Sequence, residues 1–203
     1  MRQIALPLTA GAEHSPSRIV VGNANAAVIE AFAHAETWPF RTAILSGPPR
    51  SGRSLLARWF VESGKGDAID DAQAMAEAEL FHRWNRAQES GRPLLIIAGE
   101  GDWNIALPDL KSRLGAALNL QIGAPDDEMV ADLIAIHAEM RGLALDESAT
   151  TYLVPRCNRS HMDIERLVET IDRISLERKQ PPTMAIWRDA LEEMSGESQP
   201  RLL

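Results

Sequence analysis

A single cysteine, Cys157, is all the thiol this chain has, so it cannot close an internal disulfide, which fits a reducing compartment. No run of 18 apolar residues is present, and the N-terminus has no basic segment leading into an apolar stretch with a small-residue cleavage site. Neither a membrane span nor a secretory signal is expected. Positive charge is in deficit: 21 Lys and Arg stand against 29 Asp and Glu, for a formal net charge of −8, and no basic block stands apart. Such a chain is poorly equipped to hold nucleic acid by neutralising phosphates, so protein partners are favoured over DNA. Aromatics are sparse, and Trp38, Trp59, Trp84, Trp103 and Trp187 are spread along the chain, which suits packing better than base stacking. His34, His82, His137 and His161 lack metal-ligand spacing. What is present is 45% hydrophobic content in 203 residues, enough for one sizeable core with a small helical subdomain attached. A soluble, cytoplasmic globular protein is the expectation.

Residues 1–8 contain Gln3, Ile4, Leu6, Pro7 and Leu8, an amide followed at fixed spacing by aliphatics, with a proline that restricts the chain beforehand. A peptide of this kind docks through a few anchors, the amide in a polar notch and the aliphatics in an apolar pocket. An edge strand, or a tail with chance apolar residues, is the alternative reading. Residues 9–18 are small, polar and broken by Pro and Gly, as in a linker. From residue 19 to 124, helix and strand alternate. A helix is expected from Asn25 to about Ala35, a buried strand over Thr42–Leu45, a helix from Leu55 to about Val61, a helix over Ala74–Gln88 closed by Gly91, and a buried strand over Leu94–Ala98. This is the pattern of βαβ units in an α/β core. Residues 125–195 read as helices only, capped by Asp126 or Asp127, by Asp146 and by Ser160, with a last short helix over Thr183–Met194 and a tail at 196–203.

The chemical centre of the core is Gly47-Pro48-Pro49-Arg50-Ser51-Gly52-Arg53-Ser54, between a predicted strand and a predicted helix. It matches the phosphate-cradling pattern G-x-x-x-x-G-K-[ST] except that Arg53 replaces the lysine. Backbone N–H groups and the following helix N-terminus would face phosphates, and Ser54 would help hold Mg²⁺. Arg53 presents a wide planar fork instead of a compact ammonium, which makes it a poor equivalent inside a tight loop. Asp70 and Asp71 are the natural partners for a metal at the end of a strand, yet only Ala68 and Ile69 precede them as apolar residues, a weak strand signal. A solvated acidic turn is the competing reading.

The segments Val20–Asn25, Leu80–Asn85, Leu107–Leu114, Ala124–Asp127 and Tyr152–Arg156, together with the phosphate loop, resemble the AAA+ module of the DnaA/Hda family. The short length and the leading Gln3–Leu8 segment resemble the Hda group, which has a sliding-clamp-binding peptide and lacks the initiator's DNA-binding helix-turn-helix domain. The resemblance implies a P-loop AAA+ core with a parallel sheet flanked by helices and a C-terminal helical lid. It implies two partners, the sliding clamp (beta subunit) of DNA polymerase III and DnaA, with ADP or ATP and Mg as the family's cofactors. It also implies a role in regulatory inactivation of DnaA, a negative regulation of replication initiation, and places Arg113 at the arginine-finger position acting in trans. Against that pattern, Arg53 stands for the lysine, a strand and helix are missing before Asp70-Asp71, Ala98-Gly99 stand where a polar sensor belongs, and Glu165 falls where the second sensor Arg is expected, with Arg166 one residue on. These departures favour a scaffold that binds nucleotide weakly or not at all. A self-sufficient ATPase and a clamp-tethered module without DnaA contact are the alternatives, and the oligomeric state is left open.

Overall fold

The structure, a computed structural model, describes residues 19–101 and 103–197. The Gln3–Leu8 peptide and the 9–18 linker lie outside the described residues. The chain divides into two compact units, the first ending at Gly123 and the second beginning at Ala124.

In the first unit, α1 (Ala26–Ala33) precedes β1 (Thr42–Ser46), α2 (Arg53–Glu62), β2 (Asp67–Ile69), α3 (Glu77–Ser90), β3 (Leu94–Ile97), α4 (Pro108–Gly115) and β4 (Leu118–Gln121). The four strands form one parallel sheet in the order β2-β3-β1-β4. β3 is the unbroken Leu-Leu-Ile-Ile run, buried at all four positions, as a strand covered on both faces must be. Its alternate residues serve different layers. Leu94 and Ile96 join Leu80 and Trp84 of α3 and Leu110 and Leu114 of α4 in one apolar cluster. On α1 and α2, Phe32 and Phe60 meet edge-on with ring centroids 5.0 Å apart, and Trp38 stacks on Phe60 at 5.4 Å.

Two differences from the sequence expectation have clear causes. β4 is unannounced: Leu118-Asn-Leu-Gln is only four residues long with alternating half-buried and exposed positions, and its strand state comes from pairing with β1, Ala43 to Leu118 through Ser46 to Gln121. β2, weak by its own composition, exists because Asp67, Ala68 and Ile69 pair with Leu94, Leu95 and Ile96. The chain passes from α2 to β2 with no further strand between them, and β2 is an edge of the sheet. α3 begins at Glu77, later than expected, because a 3-10 turn over Ala72–Ala74 takes up the preceding residues.

The second unit is helical: α5 (Asp127–Arg141), α6 (Glu147–Leu153), α7 (His161–Arg178) and α8 (Met184–Glu197). α7 is its spine. Ile164, Leu167, Val168, Ile171 and Ile174 recur at helical spacing and are buried against Val130 and Ile134 of α5, Leu153 of α6, and Ile186 and Trp187 of α8. Each of the first three helices starts on a side-chain cap. Met129 N–H donates to Asp126 at 2.9 Å, Ala149 N–H to Asp146 at 3.0 Å, and Asp163 N–H to Ser160 at 3.4 Å. A cap of this kind contributes about 1 kcal/mol.

At Asp146 the Ser148 hydroxyl also donates, and these hydrogen bonds hold the carboxyl below its ordinary range. A lowered folded-state value means that the stabilisation is complete above the ordinary carboxylate range and is lost as pH falls through the lowered value. Asp146→Ala is therefore expected to lower the urea midpoint of unfolding near about pH 7 and to match the parent chain near about pH 2. Parallel midpoint curves across that range would contradict the cap.

Candidate functional site

The phosphate loop occupies residues 47–52, between the end of β1 and the start of α2. Its first glycine is a packing requirement: a Cβ on Gly47 would sit 2.9 Å from Ile122 Cβ, in the chain leaving β4. Its second is a conformational one, since Gly52 takes φ 85 as it enters α2, in the left-handed region that side chains avoid. Arg50 is also left-handed, at φ 63. Two such residues within three positions curl the backbone ahead of the α2 N-terminus, the arrangement that suits an anion. Ser51 is buried inside the loop, and its Oγ has no hydrogen-bond partner among the described residues.

The side chains tell a different story. Arg53, in the lysine position, donates from its guanidinium to the carbonyl of Ala98 at the end of β3. β1 and β3 are adjacent and in register, Leu45 opposite Ile97, so their carboxyl ends lie level and a long side chain from α2 spans the gap. One of its five N–H donors is thus engaged within the fold. Ser54, in the first turn of α2, is exposed. Asp70 and Asp71 follow β2, with β3 standing between that strand and β1, and both are exposed. Asp70 accepts the N–H of Asp71 at 2.9 Å, and Asp71 is left-handed at φ 49. Asp71 makes no side-chain cap to the 3-10 turn behind it. Among the described residues no group of three His, Cys, Asp or Glu is placed to hold a metal ion. The curled backbone of the loop has the form that suits a phosphate, while Ser54, Asp70 and Asp71 are exposed and Arg53 is turned onto Ala98.

At the end of β3, Ala98 and Gly99 offer no polar side chain, but Gln73 reaches across from the turn after β2 and its Oε1 accepts the Gly99 N–H at 2.9 Å. Sequence reading had no means of finding Gln73, because the contact joins positions 26 apart on neighbouring strand ends.

Arg113 lies near the end of α4 and is half-buried. Pro108 at the first turn starts this helix, and Leu110 and Leu114 bury its inner side. Asp109, one turn earlier on α4, makes no ion pair with Arg113. Instead the guanidinium carbon stands 4.4 Å over the Trp84 ring and 5.1 Å over Phe81, both on α3. Such a cation–π contact contributes about 0.5–1 kcal/mol at partly exposed sites, and no side-chain hydrogen bond from Arg113 is formed among the described residues. Among the described residues no carboxylate pairs with Arg113. Glu77, which the sequence did not single out, accepts the N–H groups of Ala106 at 2.8 Å and Leu107 at 2.6 Å, immediately before α4.

Comparison with known proteins bears on both units. Residues 126–191 match the family described as Hda, lid domain. The fold is similar to domain III of the Thermotoga maritima replication initiation protein DnaA, with a TM-score of 0.70 at 14% identity, covering 92% of this chain and 98% of that one. Residues 126–191 thus carry the match to the Hda lid family, and the fold is that of DnaA domain III. It is also similar to a replication initiator DnaA bound to AMPPCP and single-stranded DNA, with a TM-score of 0.60 at 15% identity, covering 83% of this chain and 68% of that one. The Thermotoga maritima RuvB Holliday junction branch migration motor gives a TM-score of 0.58 at 13% identity, covering 84% of this chain and 68% of that one.

Within the Hda lid, Glu165 is half-buried and Arg166 exposed, on α7 next to the fully buried Ile164 and Leu167. One residue of offset turns a side chain about 100° around a helix, so the two cannot present charge to the same place. No helix among the described residues is long and apolar enough to cross a membrane.

The Arg53 clasp has a direct test. Arg53→Lys supplies a compact ammonium and is expected to bind a fluorescent ADP analogue about tenfold more tightly than the parent chain in a titration. Equal affinities would show that the clasp to Ala98 does not obstruct the loop.

Proposed function

We propose that the chain is an Hda-like negative regulator of replication initiation, a clamp-tethered adaptor that promotes hydrolysis of ATP bound to DnaA. The observation that carries this reading is Arg113: a guanidinium at the edge of the core, ordered by stacking, with its in-plane donors uncommitted, in a chain that ends in an Hda lid. Delivered across an interface, such a group offsets the negative charge that spreads over the γ-phosphate oxygens in the transition state. Arginine fingers of this kind are worth about 10³ to 10⁵ in rate. The chemistry takes place in the partner's pocket, so this chain needs no hydrolysis of its own. That agrees with an Arg53 turned onto Ala98 and with the exposed Asp70 and Asp71. Nucleotide binding by the loop at 47–54 is weak or absent in this reading, and Mg²⁺ held by Ser54, Asp70 and Asp71 plays no part.

The tether is the Gln3, Ile4, Leu6, Pro7 and Leu8 segment, which lies outside the described residues. Its role is to raise the local concentration of Arg113 around initiator on clamp-loaded DNA.

Reconstitution tests tether and finger separately. With DNA-loaded clamp and ATP-bound DnaA, the parent chain is expected to accelerate ATP hydrolysis, and Arg113→Ala to remove at least about 10²-fold of that acceleration. Acceleration that persists in Arg113→Ala would refute the finger. Gln3→Ala and Leu6→Ala are each expected to weaken capture by purified clamp, the stimulation then recovering at high concentrations of the chain. Unaltered capture by both variants would remove the tether from the account.

A further inference from the structure

We infer that one face of α3, made by Glu77, Phe81 and Trp84, is the device that positions Arg113, with Trp84 and Phe81 as positioning residues for the trans-acting guanidinium. The inference rests on the reading of Arg113 given above and adds how that side chain is held.

Glu77, Phe81 and Trp84 follow one another at i, i+4 and i+7, so they share one stripe of α3. Each touches the α4 segment in turn. The Glu77 carboxylate receives the backbone N–H groups of Ala106 and Leu107 at the entrance to α4, while Phe81 and Trp84 lie under Arg113 near its end. From 77 to 84 the rise along α3 is about 10 Å, and from 107 to 113 along α4 about 9 Å. The two helices therefore run side by side in the same direction, fixed at both ends of the contact. Glu77 serves two helix N-termini at once, since it also stands in the first turn of α3, where negative charge is favoured.

The aromatic end decides what Arg113 can do. An Arg pinned by a carboxylate would have its donors occupied and its charge offset before meeting a partner. An Arg free in solvent would have many rotamers to lose on docking. Held against two rings, the guanidinium has fewer rotamers to lose and keeps its N–H donors for an anion. Trp84 is rigidly held for this purpose, being 4% exposed and part of the cluster with Leu110 and Leu114 of α4 itself. Phe81 is half-buried at the rim of the same cluster. Pre-organised geometry is where a small displacement becomes a large loss in rate.

The experiment uses the full chain with DNA-loaded clamp and ATP-bound DnaA, in parallel with NMR of the chain alone. In the parent protein the Arg113 side-chain methylene protons are expected upfield of their ordinary positions, shifted by the rings beneath them, and Trp84→Leu should return them toward ordinary values. Phe81→Leu and Trp84→Leu are expected to lower the maximal stimulated rate at saturating chain by about tenfold, with little change in the half-saturating concentration. Trp84→Phe, which restores a ring face, should recover most of the rate. Phe81→Leu, at the rim, keeps the test independent of any folding defect in Trp84→Leu.

Ordinary Arg113 shifts in the parent chain would overturn the inference. So would a changed half-saturating concentration with an intact maximal rate in Phe81→Leu, which would mark Phe81 as a surface contact with the partner. If Arg113→Ala abolishes stimulation while both aromatic variants retain it in full, the positioning role falls and the finger stands. If Arg113→Ala changes nothing, the functional reading falls, whatever the spectrum shows.

Discussion

The parallel pairing of β1 with β3 is the constraint on which the first unit depends. Thr42 to Leu45 lie beside Leu94 to Ile97 in register, which brings the start of the phosphate loop level with Ala98. From that alignment follows the reach of Arg53 to the Ala98 carbonyl, while the pairing of β2 with β3 brings Gln73 to Gly99. β3 also gives β2 its only strand partner, and β1 gives β4 its own, so both weak strands are held by the two strong ones. The same buried pair supplies the faces on which α3 and α4 settle, with Leu94 and Ile96 in the shared cluster. A slip of one residue would reverse those faces and disperse the whole arrangement.

The phosphate loop and the Arg113 region illustrate two uses of arginine. Arg53 points into its own fold and bonds the Ala98 carbonyl, beside the phosphate loop. Arg113 rests on aromatic faces, and its donors stay available at the edge of the core. One guanidinium is thus turned onto its own fold and the other is held against aromatic rings.

Much of the fold was legible in the residues. The capped helices at Asp126, Asp146 and Ser160 formed where local hydrogen-bond chemistry placed them, because a cap is decided within four residues of chain. The buried Leu94–Ile97 run and the Gly-rich turn after β1 were equally plain, since composition alone marks them. β4 was not, because Leu118-Asn-Leu-Gln is too short to carry its own signal. The candidate site residues were read by type, and their orientation was not. The phosphate-loop residues and Arg113 could be named from pattern and resemblance, whereas the companions that restrain them, Ala98, Gln73, Glu77, Phe81 and Trp84, are contacts between elements distant in sequence.

By itself, then, the sequence settled the alternation of helix and strand, the all-helical second unit and the identities of the charged groups at the loop and on α4. These rest on short-range forces: turn chemistry, capping and hydrophobic period. Tertiary structure alone decided where each guanidinium points. A side chain of that length has many rotamers of similar energy, and the choice among them is made by whichever carbonyl or ring the folded sheet and helices bring within reach.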